Sequence, residues 1–245
     1  MPVMRVHAIA QAPTNTNVPA VEANGIARRF GSNWVLRGIT LRVHRGEVLG
    51  LLGSNGTGKS TLLRVLATLL RPHAGSARVL GHDVVTEAAR VRESVGYLAH
   101  SPALYDDLTA LENLEFAADM LNRDRREALS ALERVELSNV RDHPVRGFSS
   151  GMQRRLSIAR LMLIRPSLLL LDEPYSNLDA SGVELVNGFI TELVGEGAAA
   201  IVVIHEVAPA LGILDRTLKI VDGRIAPHPS VDSADAATRP RLARR

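Results

Sequence analysis

Residues 53–61 read GSNGTGKST. Gly53, Gly58, Lys59 and Ser60 match a phosphate-binding loop pattern of Gly, four residues, Gly-Lys, and Ser or Thr. Apolar residues 48–52 lead into it. Leu62, Leu63, Val65, Leu66, Leu69 and Leu70 lead out at helical spacing, so the order is strand, loop, helix. A Gly-rich turn before an ordinary helix is the plain alternative, and the flanking elements argue against it.

The chemistry of such a loop explains its residue types. Glycines let the backbone fold tightly enough for successive N–H groups to face one anion, and the helix starting near Lys59 aims its positive dipole end at the same point. Gly53, Ser54, Asn55, Gly56, Thr57 and Gly58, with Lys59, Ser60 and Thr61, are the expected nucleotide-phosphate cradle. Lys59 is expected to reach the β- and γ-phosphates and the Ser60 hydroxyl to bind Mg²⁺. The chain holds only two lysines, Lys59 and Lys219, among 29 basic residues. An ammonium at position 59 of so arginine-rich a chain suits a site that needs a compact charge among phosphate oxygens.

With 245 residues, 46% of them hydrophobic, the chain can bury one large α/β core. It has no cysteine, which excludes disulfides and thiolate metal sites. The formal charge of +3 and an aromatic content of 3% argue against a nucleic-acid partner or a base-stacking platform. No segment approaches the roughly 20 apolar residues needed to cross a bilayer. The N-terminus lacks the basic region and apolar core of a secretion signal, so a soluble intracellular chain is expected.

Residues 1–20 are polar and proline-broken, and residues 227–245 mix Ser, Asp, Ala and Arg; both are expected to be flexible arms. Between them, residues 21–48 read as short strands with turns at residues 31–33 and 45–47. They suggest an antiparallel edge beside a parallel core. Phe30 precedes the first turn and is either a base-stacking aromatic or a core residue. A stop signal at residues 71–76 precedes a short strand at 77–80, a short helix at 87–93 and a strand at 95–99. Residues 101–165 form a mostly helical insert. Strands at 167–171 and 198–204 alternate with a helix at 180–194, and residues 215–225 close as a hairpin. The result is a P-loop core with a mostly parallel sheet, an N-terminal antiparallel β subdomain and a helical subdomain.

Asp172 follows four leucines, so it emerges from a buried strand. A carboxylate there is costly unless a hydrogen bond or a metal compensates. With the phosphate loop upstream, Asp172 is expected to support Mg²⁺ beside Ser60, and Glu173 to orient or deprotonate an attacking water. A simple helix N-cap is the alternative for Asp172. His205, at the end of the strand at 198–204, lies at the same carboxyl edge and suits a γ-phosphate sensor.

The stretch at residues 148–155, FSSGMQRR, completes the series. It is similar to the LSGGQ signature of the ATP-binding subunits of ABC transporters, with Ser150 for the first Gly and Met152 for the Gln. The resemblance runs over residues 21–226, with Phe30 at the base-stacking aromatic, the P-loop, LLLLDEP, Ser176-Asn177-Leu178-Asp179 as the D-loop, and His205 as the switch histidine. It implies ATP and Mg²⁺ as cofactors. It also implies a homodimer or paired ATPase subunit with ATP held between the P-loop of one copy and Ser149 and Gly151 of the other. Transmembrane permease subunits on the cytoplasmic face of the membrane would be the further partners. Glu173 then becomes the base, His205 the γ-phosphate sensor and Lys59 the phosphate clamp.

His100 departs from the family, which usually carries Gln there to contact Mg²⁺ or the attacking water. Together with residues 108–114 and with Asp172-Glu173-Pro174-Tyr175, His100 resembles the ATPase of the cytochrome c maturation system, described as a haem exporter. Drug- and antibiotic-export ATPases share the Ser-x-Gly-Met-x-x-Arg signature and are the alternative. A non-transport ABC ATPase acting on nucleic acid, and a P-loop kinase, fit less well: the chain has no long coiled-coil insert, and the signature precedes the LLLLDEP strand.

Overall fold

The computed structural model describes residues 18–226. The arms expected to be flexible, residues 1–20 and 227–245, lie outside the described residues except for residues 18–20. In chain order the strands are β1 (Val21–Phe30), β2 (Asn33–Val43), β3 (Val48–Leu52), β4 (Ala74–Val79), β5 (His82–Asp83), β6 (Val95–Leu98), β7 (Leu168–Asp172), β8 (Ala199–Val203), β9 (Arg216–Val221) and β10 (Arg224–Ala226). The helices are α1 (Lys59–Leu66), α2 (Ala88–Ser94), α3 (Ala110–Met120), α4 (Arg125–Arg134), α5 (Ser150–Ile164) and α6 (Ala180–Gly195).

Six strands form one sheet in the order β10-β9-β3-β8-β7-β6, and its five strands from β9 to β6 are parallel. Every residue of β7 and β8 is buried, so these two strands are apolar on both faces. Successive leucines of β7 feed two cores. Leu168 and Leu170 pack with β1, β2, β3 and α1, while Leu169 and Leu171 pack with the helical layer of α3, α4, α5 and α6. One strand thereby bonds both layers of the molecule.

The N-terminal antiparallel strands make a sheet of their own, β2-β1-β4-β5, rather than an edge of the parallel one. β4 begins at Ala74, inside the stretch that reads as a stop signal. It pairs with β1 because Gly75, at φ 81°, brings its Cα so close to the Gly25 backbone that a Cβ would lie 2.3 Å from the Gly25 oxygen. A second difference lies after the P-loop helix. The apolar pattern runs to Leu70, yet α1 ends at Leu66, because Thr68 turns left-handed at φ 63° and the amides of Leu69 and Leu70 fold back onto the Arg64 carbonyl.

The helical insert starts where the sequence has capping boxes. Thr109 with Glu112 opens α3, and Asp124 with Glu127 opens α4, each side chain taking the other's backbone amide. Substituting Leu170 by Ala would leave a cavity in a fully buried strand. The expected loss is about 2–5 kcal/mol of unfolding free energy, measured by denaturant titration; a loss below about 1 kcal/mol would mean that the core closes over the gap.

Candidate functional site

The carboxyl ends of β3, β8, β7 and β6 are neighbours in that order. The P-loop, His205, Asp172 with Glu173, and His100 are therefore brought to one edge of the sheet. Close approach dictates two of the loop glycines. A Cβ on Gly53 (φ 149°) would lie 2.6 Å from the Ile220 carbonyl oxygen, and one on Gly58 (φ 106°) would lie 2.7 Å from a Leu36 methyl. Lys59 is buried, and its ammonium donates to the carbonyls of Gly53 (2.7 Å) and Ser54 (2.9 Å). Burial lowers the Lys59 pKa, and the charges of Glu173 and Asp172 oppose that shift. The ammonium thus feels both carboxylate charges while it is bonded to the loop carbonyls.

Asp172 is 1% exposed, and neither of its carboxylate oxygens has a hydrogen-bond partner. An N-cap would show a backbone amide on the carboxylate, so the capping alternative does not describe this residue. Two orphaned anionic oxygens fit a cation. Among the described residues no group of three or more His, Cys, Asp or Glu side chains forms a metal cage. Mg²⁺ takes one or two protein ligands and completes its shell with water and phosphate oxygens, so a single buried carboxylate without a partner fits it.

Glu173 sits one residue on in a left-handed conformation, φ 52°, with its amide bonded to the Val203 carbonyl of β8. The turn separates its side chain from that of Asp172. One carboxylate oxygen, Oε1, lies 2.6 Å from His205 Nε2, and the other, Oε2, lies 3.2 Å from His100 Nδ1. Burial raises the Glu173 pKa, but the His205 hydrogen bond and the charges of His205, His100 and Lys59 outweigh it and hold the carboxyl below the usual range. His100, which the resemblance assigns to Mg²⁺ or the water, is here turned to Glu173.

The signature opens α5. Ser149 caps the helix by accepting the Met152 amide (3.2 Å), which leaves its hydroxyl proton free to donate outward. A Cβ on Gly151 would lie 2.8 Å from the Asn177 carbonyl oxygen, so the signature is pressed against the D-loop, where Asn177 is itself left-handed at φ 63°. Among the described residues no hydrogen bond joins Ser149 or Gly151 to the P-loop of the same chain. Phe30 is 47% exposed at the end of β1, with the Arg28 guanidinium 5.0 Å from its ring centre, so it is not a core residue. Its ring remains open to a planar ligand.

The match to known proteins follows the same residues. A family model described as "ABC transporter" covers residues 36–176. The chain is 39% identical over 223 residues to the daunorubicin resistance ATP-binding protein DrrA3 of Streptomyces coeruleorubidus, covering 89% of this chain and 71% of that one. It is 35% identical to the daunorubicin/doxorubicin resistance ATP-binding protein DrrA of Streptomyces peucetius, over 84% of this chain and 64% of that one. The chain belongs to the ABC transporter family. It is an ATP-binding subunit whose ATP hydrolysis is coupled to transport. The same fold recurs in a dimeric ATP-binding cassette solved in a post-hydrolysis state with ADP and Pi, at TM-score 0.77 and 26% identity, covering 84% of this chain and 97% of that one.

Sequence reasoning missed one residue of this ABC site. Arg154 is 4% exposed, and its guanidinium donates to the carbonyls of Ala99 (2.8 Å), His100 (3.2 Å) and Glu173 (3.2 Å). It therefore ties the signature helix to both loops that carry His100 and Glu173. The available signal was its place one helical turn before Ile158 and two before Leu161, on the buried stripe of α5. Its neighbour Arg155 bridges Glu136 (2.6 Å), Asp179 (2.8 Å) and Ser181 (2.7 Å), joining the helical insert to the cap of α6. Arg154→Met should leave three carbonyls without their donor and lower ATP turnover by about tenfold or more. Arg154→Lys, which keeps the charge but loses the fork, should fall between. Steady-state hydrolysis measures both, and wild-type turnover in the Met variant would mean the staple has no part in the reaction.

Proposed function

We propose that this chain is the ATPase of an export transporter for amphipathic molecules of the drug or antibiotic class, acting as a head-to-tail pair bound to a membrane permease. The observation that carries the ATPase chemistry is the Glu173 carboxylate, held by His205 one residue beyond the orphaned Asp172 and facing Lys59. In this reading Phe30 stacks on the adenine and the P-loop amides from Gly53 to Thr61 hold the phosphates. Lys59 exchanges its two carbonyl partners for β- and γ-phosphate oxygens. Ser60 and Asp172 would hold Mg²⁺, which supplies charge neutralisation between the phosphates. Glu173 accepts a proton from the attacking water, and His205 keeps the carboxylate in place and senses the γ-phosphate.

The second subunit follows from Ser149 and Gly151. Their donors are free of the chain's own P-loop, so a γ-phosphate presented by a partner copy would satisfy them at the positive end of α5. ATP then holds the pair together, and loss of the γ-phosphate releases it. The relatives named above carry daunorubicin resistance in their names, which supports the drug-export reading. The haem-export reading rests on His100 and the motifs around it, and those relatives add nothing to it. Among the described residues no helix is long and apolar enough to cross a membrane, so transport requires a separate permease in this reading.

The permease has a natural seat. A cavity of about 360 Å³ opens between the loop after β6 and helices α3 and α5, lined by Tyr105, Phe116, Met120, Arg160 and Ile164. Tyr105 and Phe116 meet edge to face at 5.2 Å while staying about half exposed, and Arg160 donates to the Ala103 carbonyl. This apolar cleft suits a short amphipathic helix from a cytoplasmic loop of the permease. Because the cleft adjoins the loop that carries His100, a helix pressing there would act on Glu173.

Glu173→Gln should bind ATP with near wild-type affinity, lose hydrolysis by about 100-fold or more, and run as a dimer with ATP on size-exclusion chromatography. A variant that binds ATP yet stays monomeric would exclude the paired-site reading. Phe116→Asp should abolish co-purification with the permease at an unchanged Tm; retained co-purification would move the seat elsewhere.

A further inference from the structure

We propose that His100 is a positioning residue for Glu173: its Nδ1 lies 3.2 Å from carboxylate Oε2, at ion-pair distance, while His205 Nε2 is hydrogen-bonded to Oε1, so that contacts from two loops bias the plane of the carboxylate. The inference rests on the ATPase reading above and adds to it a contact that the family's glutamine does not define. A carboxylate held at one oxygen can still rotate about its Cγ–Cδ bond. A second contact at the other oxygen opposes that rotation and biases where the remaining lone pairs point.

Three features make the contact a built one. His100 closes β6 and Glu173 closes β7, and these strands are adjacent and parallel, in register from Val95 with Leu168 to Leu98 with Leu171. Two paired strands of equal phase deliver the two side chains to the same height at the sheet edge. The Arg154 guanidinium then donates to the backbone carbonyls of both His100 and Glu173, so the two ends of the side-chain contact share one buried anchor. The third strand end, at β8, supplies His205 on the other side, and the Glu173 amide bonds to Val203 of the same strand. Three neighbouring strands thus fix one carboxylate.

The geometry also says what moves it. His205 follows a core strand, whereas His100 begins the loop that runs through Ala103 and Tyr105 into the helical insert and lines the proposed permease seat. A displacement of that loop moves His100 relative to Oε2 and leaves the hydrogen bond at Oε1 in place. The carboxylate would then swing about the His205 contact, changing where its free lone pairs meet the attacking water. A displacement of under 1 Å at a reacting group is enough to alter turnover by about 100-fold.

The side chain of His100 is 64% exposed, so its truncation opens no cavity and the fold should persist. In the full chain with its permease, His100→Ala should lower kcat for ATP by about 10-fold with KM within about twofold. His100→Asn, whose amide nitrogen sits near the place of Nδ1, should recover at least half of the activity. The deciding measurement is single-turnover hydrolysis in the Glu173→Gln background. There His100→Ala should cost nothing further, since the group it positions is gone. If His100→Ala lowers the rate by the same factor with Gln at 173 as with Glu, His100 acts elsewhere and the inference fails. An independent readout is the ring ¹⁵N resonance of His100, which should shift on Glu173→Gln; an unmoved resonance overturns the contact. If instead Glu173→Gln leaves hydrolysis intact, it is the assignment of Glu173 as base that fails, which separates the two conclusions.

Discussion

A carboxylate buried without a partner at the end of an all-leucine strand sets the terms for the rest of the molecule. Asp172 sits in β7, whose residues are all buried, and both of its oxygens lack a hydrogen bond. Such a group costs several kcal/mol unless a cation meets it. The cations nearby are the Lys59 ammonium, whose pKa the Asp172 and Glu173 charges raise against burial, and the Arg154 guanidinium, on which the same two charges act. The site is therefore a cluster of buried charges in the absence of nucleotide. In the function proposed above, Mg²⁺ and the nucleotide phosphates would supply the charges that balance it.

That constraint explains the architecture around it. The strand must be apolar on both faces to carry the acid into the interior, so it needs a layer on each side. The antiparallel sheet with α1 supplies one and the helical insert with α5 and α6 supplies the other. The second layer does more than cover. Through Arg154 it grips the loops after β6 and β7, and through Arg155 it grips the cap of α6. Movement of the helical layer is thereby mechanically joined to the reacting edge. In the function proposed above, this link would let a permease on one face and ATP on the other sense each other.

Much of this was legible in the residues. The phosphate loop, the hairpin at residues 222 and 223 and the alternation of strands with helices are local patterns, and the structure carries each of them. Two local patterns give way, one to a distant contact and one to a turn of the chain itself. Residues 74–76 read as a break because Gly75 and Ser76 are turn formers, yet the backbone of Gly25 draws them into a sheet. The apolar run to Leu70 promised a longer helix, and the left-handed Thr68 stopped it.

The sequence by itself determined the chemistry on offer: a loop of glycines before Lys59, an acid pair after four leucines, a histidine at a strand end, and a Ser-x-Gly signature opening a helix. Each follows from spacing within one segment, where backbone geometry leaves few choices. Only the tertiary structure decided who meets whom. That Glu173 lies between His205 and His100, that Gly151 is pressed on Asn177, and that one guanidinium binds Ala99, His100 and Glu173 depend on the order β3-β8-β7-β6. Contacts between residues dozens of positions apart have no local signature. They are set by which strands pair, and that is settled by burying the whole core at once.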